Sequence, residues 1–270
     1  IGGIIASMLP VGSISYLYFS DRLMEFPLGI FSIALGTVTL PYLARLWAKN
    51  DKQVFTQTLD WSLKLAFLII IPAAIGLFIL AEPLVSSLFF GGIFDEYAVR
   101  MTALALKAYS IGLVGFSFVK ILAPAYFARE DTKTPVRIAI LSLVINLILS
   151  ICFAWYMTVN QIDGPHVGLA MATSIAAIFN SALLYFGLLK SEILKHSNGW
   201  IIFLIRVTIS CIVMILVLNY FDKPLDWWTG ATFSKRIFWL LLSVTTGAVT
   251  YFFTMLLLGT KFIEFKLRKE

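Results

Sequence analysis

Ionisable side chains set into apolar sequence are the first place to look for chemistry. The densest group is Asp21-Arg22-Leu23-Met24-Glu25-Phe26-Pro27. On a helix Asp21 and Glu25 stand i,i+4 and Arg22 and Glu25 i,i+3, so all three can share one face. Pro27 follows and weakens the helix about a turn before it. Two chemistries fit. One is an ion pair near a membrane interface, with Arg22 satisfied by Glu25 or Asp21 and the helix held in register. The other is a guanidinium facing a central cavity, tempered by the carboxylates and open to a phosphate-bearing ligand. Its planar fork stays charged and meets phosphate oxygens two at a time.

Lys107 and Lys120 lie thirteen residues apart in one apolar run, hence about 140° from each other around a helix. They cannot both line one narrow cavity. Lys120, ahead of Ile121-Leu122-Ala123-Pro124, is the candidate for the interior, while Lys107 snorkels or meets a carboxylate. Arg206 reads as a snorkelling residue. Asn146, Ser150 and Thr173 can meet across neighbouring spans, either as interhelical hydrogen bonds or as an oxygen site for a cation, although no carboxylate accompanies them. His166 and His196 fall in loops on opposite sides and cannot share a metal or acid–base site. The chain has no HExxH, GxSxG, Walker lysine or CxxC motif, so no familiar enzyme centre is present. Without an ATP loop, any transport must draw on an ion gradient, the membrane potential or the substrate's own gradient. Cys152 and Cys211 sit in apolar runs and read as packing residues.

The elements that must position these residues are spans. Hydrophobic residues make up 60% of the 270 and charged residues 13%, the latter about half the share in soluble domains. A soluble domain of this size has too little interior to hide that much apolar side chain, so lipid is the expected solvent. About eight segments reach the roughly 20 residues a span needs: 1–18, 22–47, 62–90, 98–128, 135–157, 165–190, 200–221 and 236–260. The first opens on Ile1 with no Met, no basic n-region and no cleavage site, and reads as a span entered partway. Breaks at Pro10, Pro27, Pro72, Pro83 and Pro124 favour a transporter over an inert anchor.

Loop charge gives an orientation. Arg45, Lys49, Lys52, Lys64, Arg129, Lys133, Arg137, Lys190, Lys195 and the tail Lys261, Lys266, Arg268 and Lys269 fall on one side. Arg22, Arg100, Lys223, Lys235 and Arg236 fall on the other. The richer side is expected in the cytoplasm, with the C-terminus. That accounts for the net charge of +6 without nucleic acid as a partner. Lys49 to Lys64 reads as an amphipathic helix lying at the cytoplasmic interface. The Trp227–Trp228 loop suits the opposite interface.

Several runs then carry a resemblance: YLYFSDRLMEFPLGIFSIALGTVTLPYLAR (Tyr16 to Arg45), AYSIGL (Ala108 to Leu113), KILAPAYFAR (Lys120 to Arg129), DTKTPV (Asp131 to Val136) and Gly168-Leu169-Ala170. They resemble the second half of the MurJ (MviN) family of bacterial lipid II flippases, and the likeness runs from near residue 1 to the end. It implies an all-α integral membrane fold of two six-helix lobes, related to the multidrug and oligosaccharide exporters, with two added C-terminal helices. Residues 1–191 would be the C-terminal six-helix lobe, and 192–270 the added pair with a cytoplasmic tail. The first lobe would be missing from this chain.

The activity implied is translocation of the lipid-linked peptidoglycan precursor across the bacterial inner membrane by alternating access, which is transport and not catalysis. Arg22 matches the second lobe's contact to the pyrophosphate, with Asp21 and Glu25 as charged neighbours and Lys120 added from its own position. The added helix pair is associated with a groove for the polyprenyl tail. The implied partners are lipid II, membrane lipids and the missing first lobe. Some members hold a sodium ion in this lobe, and Asn146, Leu169 (through its carbonyl) and Thr173 fall at matching positions. Ser150 stands where an acid is expected, and segment 1–18 has no acid. The rival readings are an exporter of another lipid-linked oligosaccharide or a drug, and a non-transporting scaffold in cell-wall assembly. A drug pump should carry an acidic, aromatic cavity in place of an exposed arginine.

Overall fold

The computed structural model describes residues 2–260, and for 31–38 their backbone. The regular elements among them are helices: α1 (Gly2–Ser7), α2 (Ser13–Pro27), a π-helical stretch (Leu28–Ile33), α3 (Ala34–Ala48), α4 (Lys52–Ile79), α5 (Ala81–Phe89), α6 (Glu96–Phe127), α7 (Lys133–Val159), α8 (His166–Lys190), α9 (Trp200–Phe221), α10 (Leu225–Gly230) and α11 (Phe233–Leu257). Six of them, α4, α6, α7, α8, α9 and α11, are long and apolar enough to cross a membrane. The run from α2 through the π stretch to α3 is continuous from 13 to 48. At 1.5 Å per residue it is about 50 Å long, enough for another crossing.

Three expectations change. Segment 1–18 is not one span: α1 ends at Ser7 and the chain turns before Ser13. Pro10 lacks an N–H to continue a helix, and Gly12 takes φ +96°, where a Cβ would lie 2.6 Å from the Tyr16 ring. Segment 62–90 breaks at Leu80 into α4 and α5. Pro83 stands in the first turn of α5, where a missing N–H costs nothing. The stretch 49–64 is not a separate interfacial helix. Asp51 accepts the Val54 N–H at 3.1 Å and starts α4, whose polar first turns continue unbroken into the apolar span.

Pro27 also acts differently from expectation. The helix runs unbroken through the turn before it, and the irregularity lies after it, in the π stretch 28–33.

α6 is the axis of the bundle. One cluster packs Met24 and Leu28 of the α2 run against Ile70, Leu106, Leu113 and Ala170. A second packs Leu43, Leu59, Leu63, Leu122, Tyr126 and Leu184 towards the other end. α6 and α8 meet backbone to backbone. A Cβ on Gly112 would lie 2.6 Å from the Ser174 Cα, and one on Gly115 2.5 Å from the Ile178 N. Ser174 Oγ donates across the seam to the Ala108 carbonyl at 2.7 Å.

α9 and α11 pair with each other and lean on α4, through Leu68, Val207, Cys211, Met214, Tyr251 and Met255. Tyr251 donates to the Leu68 carbonyl at 2.9 Å. Buried Arg236 donates to the Ser86 carbonyl at 2.8 Å and the Phe90 carbonyl at 3.3 Å, fixing α11 to α5.

Candidate substrate-binding site

α2 buries Ser20, Met24 and Pro27 against the bundle. That rotation turns Arg22 and Glu25 outward and leaves Asp21 half-covered. Arg22 Nη1 lies 2.7 Å from Glu25 Oε2, and its guanidinium stands 5.1 Å over the Tyr18 ring. The ion pair read from the spacing is therefore formed. Its side chains remain 56% and 48% exposed, so solvent screening leaves the pair itself little stabilising weight.

Asp21, Glu25 and Lys120 line one cavity of about 610 Å³ between α2, α6, α7 and α8, together with Asn146, Ser150 and Thr173. Arg22 is not on that wall; it stands at the open face of α2 beside it. Lys120 is exposed and makes no ion pair among the described residues. Apart from Arg22 and Leu169, the candidates for phosphate and for a cation thus line one cavity. Leu169 is buried behind it against Ala6 and Ala154.

The oxygens proposed for sodium are turned to one another. Ser150 Oγ donates to Asn146 Oδ1 at 3.2 Å, and Thr173 Oγ1 donates to the Leu169 carbonyl at 2.8 Å. Ser150 supplies a neutral hydroxyl and not a carboxylate. These residues fit a sodium ion poorly.

Lys107 is placed outside this cavity. Its Nζ sits 2.8 Å from Glu82 Oε1 of α5, the carboxylate partner its position called for, though no spacing in the sequence pointed to Glu82. His166 and His196 lie at opposite ends of α8: His166 Nε2 bonds the Met101 carbonyl, and His196 Nε2 the Tyr185 hydroxyl.

A second polar centre escaped the sequence reading. Asp60 of α4 is 4% exposed. Its carboxylate accepts from Trp200 Nε1 at 2.6 Å, Ser197 Oγ at 2.6 Å and His196 Nδ1 at 3.3 Å, with Lys64 Nζ at 3.7 Å. In the sequence Asp60 is one of several polar residues in 49–64. The one available signal was an acid set directly before Trp61 at the edge of an apolar run.

Six apolar helices of spanning length, packed beside a cavity lined by charged side chains, define a multi-pass membrane protein. A family profile described as lipid II flippase MurJ matches residues 1–258, and the chain belongs to that family. A probable lipid II flippase MurJ of Haemophilus influenzae is 39% identical, over 96% of this chain and 50% of the relative. A lipid II flippase MurJ of Burkholderia cenocepacia is 37% identical, over 98% and 50%. A solved lipid II flippase MurJ in an inward closed conformation matches with a TM-score of 0.75 at 27% identity, over 93% of this chain and 48% of that one. The chain thus spans about half the length of the curated relatives it matches.

Proposed function

We propose that this chain forms the second half of a flippase that moves lipid II across the bacterial inner membrane, with Arg22 gripping the pyrophosphate. The observation that carries this reading is the open face of α2. An arginine in the third turn of a membrane-crossing helix is costly against lipid, and Glu25 offsets its charge while leaving half the guanidinium uncovered. A first lobe and an anionic ligand would cover that face together. Asp21, Glu25 and Lys120 would set the field of the cavity wall, and the lobes would rock about the bound headgroup.

In this proposal residues 1–191 are the lobe and 192–270 the added helix pair that shelters the polyprenyl tail. The ends of α3, α6 and α8 face the cytoplasm, following the loop charges. The C-terminal basic tail, 261–270, lies outside the described residues. Asn146, Leu169 and Thr173 would serve the α7–α8 seam, with sodium at most a loosely held visitor.

The test is complementation in cells depleted of their own lipid II flippase, with the protein expressed from its complete gene. Arg22→Ala should fail to restore growth and outer-leaflet lipid II. Arg22→Lys should restore them in part, keeping the charge without the fork. Full restoration by Arg22→Ala would sink the reading. A scaffold would instead stay active with Asp21, Arg22 and Glu25 neutralised together.

A further inference from the structure

At the Lys/Arg-rich end of the bundle, two cavities meet along one loop. The first, about 1020 Å³, is apolar and lies between α4, α6, α8 and α9, with Phe67, Phe118 and Ile178 among its walls. Its outer lip carries Phe186, Ile201 and Ile202, which are 62%, 76% and 57% exposed, so it opens sideways where acyl chains lie. The second, about 1210 Å³, is polar and carries Lys52, Lys64, Lys195 and Arg206 against Asp60 and Glu192. His196, Ser197, Asn198, Gly199 and Ile202 line both.

We propose that these joined cavities seat one anionic glycerophospholipid, its phosphate among Lys52, Lys195 and Arg206 and its acyl chains in the apolar slot. The charge balance favours an anion. Asp60 is already matched by Trp200, Ser197, His196 and Lys64. Among the described residues, the carboxylate that the cavity sets against Lys52, Lys195 and Arg206 is therefore Glu192, 3.7 Å from Lys195, while Arg206 reaches only the neutral Gly259 carbonyl at 3.2 Å. Basic cavities between helices at the cytoplasmic surface suit such headgroups, each Lys or Arg adding about fivefold in affinity.

The floor is rigid. Asp60 holds the loop 191–199, and Thr56 Oγ1 bonds the Ile193 carbonyl at 2.9 Å, so the site is formed before a lipid arrives. The slot's volume is near that of a drug-sized pocket, which suits fatty acyl chains better than a long polyprenyl chain. The chain's own tail is a poor occupant, since Lys261, Lys266, Arg268 and Lys269 outnumber Glu264 and Glu270. The site lies across the bundle from the open face of α2, and it requires a membrane-spanning chain but not the flippase reading.

The test is a lipid titration of the full-length protein, followed by native mass spectrometry, with phosphatidylglycerol, phosphatidylcholine and inorganic phosphate as probes. Lys52→Gln, Lys195→Gln and Arg206→Gln should each weaken phosphatidylglycerol about fivefold and leave phosphatidylcholine unchanged. Ala182 of α8 also lines the apolar slot, and Ala182→Trp, which fills it without touching charge, should weaken phosphatidylglycerol as well. Inorganic phosphate should not displace the lipid.

The proposal is overturned if the triple variant holds phosphatidylglycerol like the parent, if Ala182→Trp has no effect, or if free phosphate competes. Displacement by undecaprenyl pyrophosphate would overturn it too and give the site to the transported lipid. Arg22→Ala is the control that separates the two readings: it should abolish complementation and leave this titration unchanged.

Discussion

Arg22 and Glu25 show how far single residues can be read from spacing. Their i,i+3 separation gave the ion pair, and a 2.7 Å contact forms it. Spacing could not tell which way the face turned, because that depends on Met24 and Pro27 docking on a helix distant in sequence. The same limit applies to the oxygens of α7 and α8. Asn146 and Ser150 are i,i+4, so their bond was available locally, and Thr173 reaches its own Leu169 carbonyl one turn back. Each of these side chains has a hydrogen-bond partner within its own helix, and none of them adds a carboxylate to offset an ion's charge. Exchanging sodium for potassium at fixed membrane potential is therefore expected to leave lipid II transport unchanged. A several-fold loss of rate would show that these oxygens open to take the ion.

At the scale of the element, the turns are more regular than the sequence suggested. α3 and α6 end alike: Asn50 and Glu130 take left-handed φ of 58° and 62°, and Asp51 and Asp131 follow. The Asp51 N–H bonds the Leu46 carbonyl at 3.0 Å and the Asp131 N–H the Tyr126 carbonyl at 3.1 Å. Each Asp then starts the next helix, Asp131 accepting the Thr134 N–H at 3.0 Å. That bond holds the Asp131 carboxyl below the usual carboxylate range. A depressed value in the fold means stability that is full above the unfolded pKa and lost as pH falls through the folded one. Asp131→Ala should cost about 1 kcal/mol at pH 7, and the gap should close in acid. Thermal unfolding of both proteins across pH would read it; a gap independent of pH would assign the cost to something other than the cap. Long apolar runs such as 200–221 were legible because burial in lipid needs no partner. The breaks at Gly12 and Leu80 were not, since a proline marks a weak point without saying whether neighbours will close it.

For the whole molecule, the least legible feature is how the last two spans are joined to the rest. Residues 1–191 and 192–270 look separable in sequence, yet Asp60 clasps the loop between them at one end of the bundle. Removing that carboxylate strands Trp200 Nε1 and Ser197 Oγ. Asp60→Ala should cost about 3 kcal/mol locally and expose the loop to trypsin at Lys190 and Lys195, with cleavage rising about a hundredfold if it tracks local opening. Unchanged cleavage would mean that Leu68, Val207 and Met214 hold the pair without help from Asp60. The contact spans about 140 residues, and the acid beside Trp61 marks the position in the chain without naming its partners.

Asp60 at one end, Leu68 midway and Ser86 at the other give the last two helices three rivets to the lobe along its full height. In the proposed flippase, a swinging lobe would carry them as a fixed keel through the surrounding lipid. Each stroke would push aside a broad front of acyl chains, and turnover would slow as the membrane stiffens. The fluidity of the bilayer would become part of the machine's gearing.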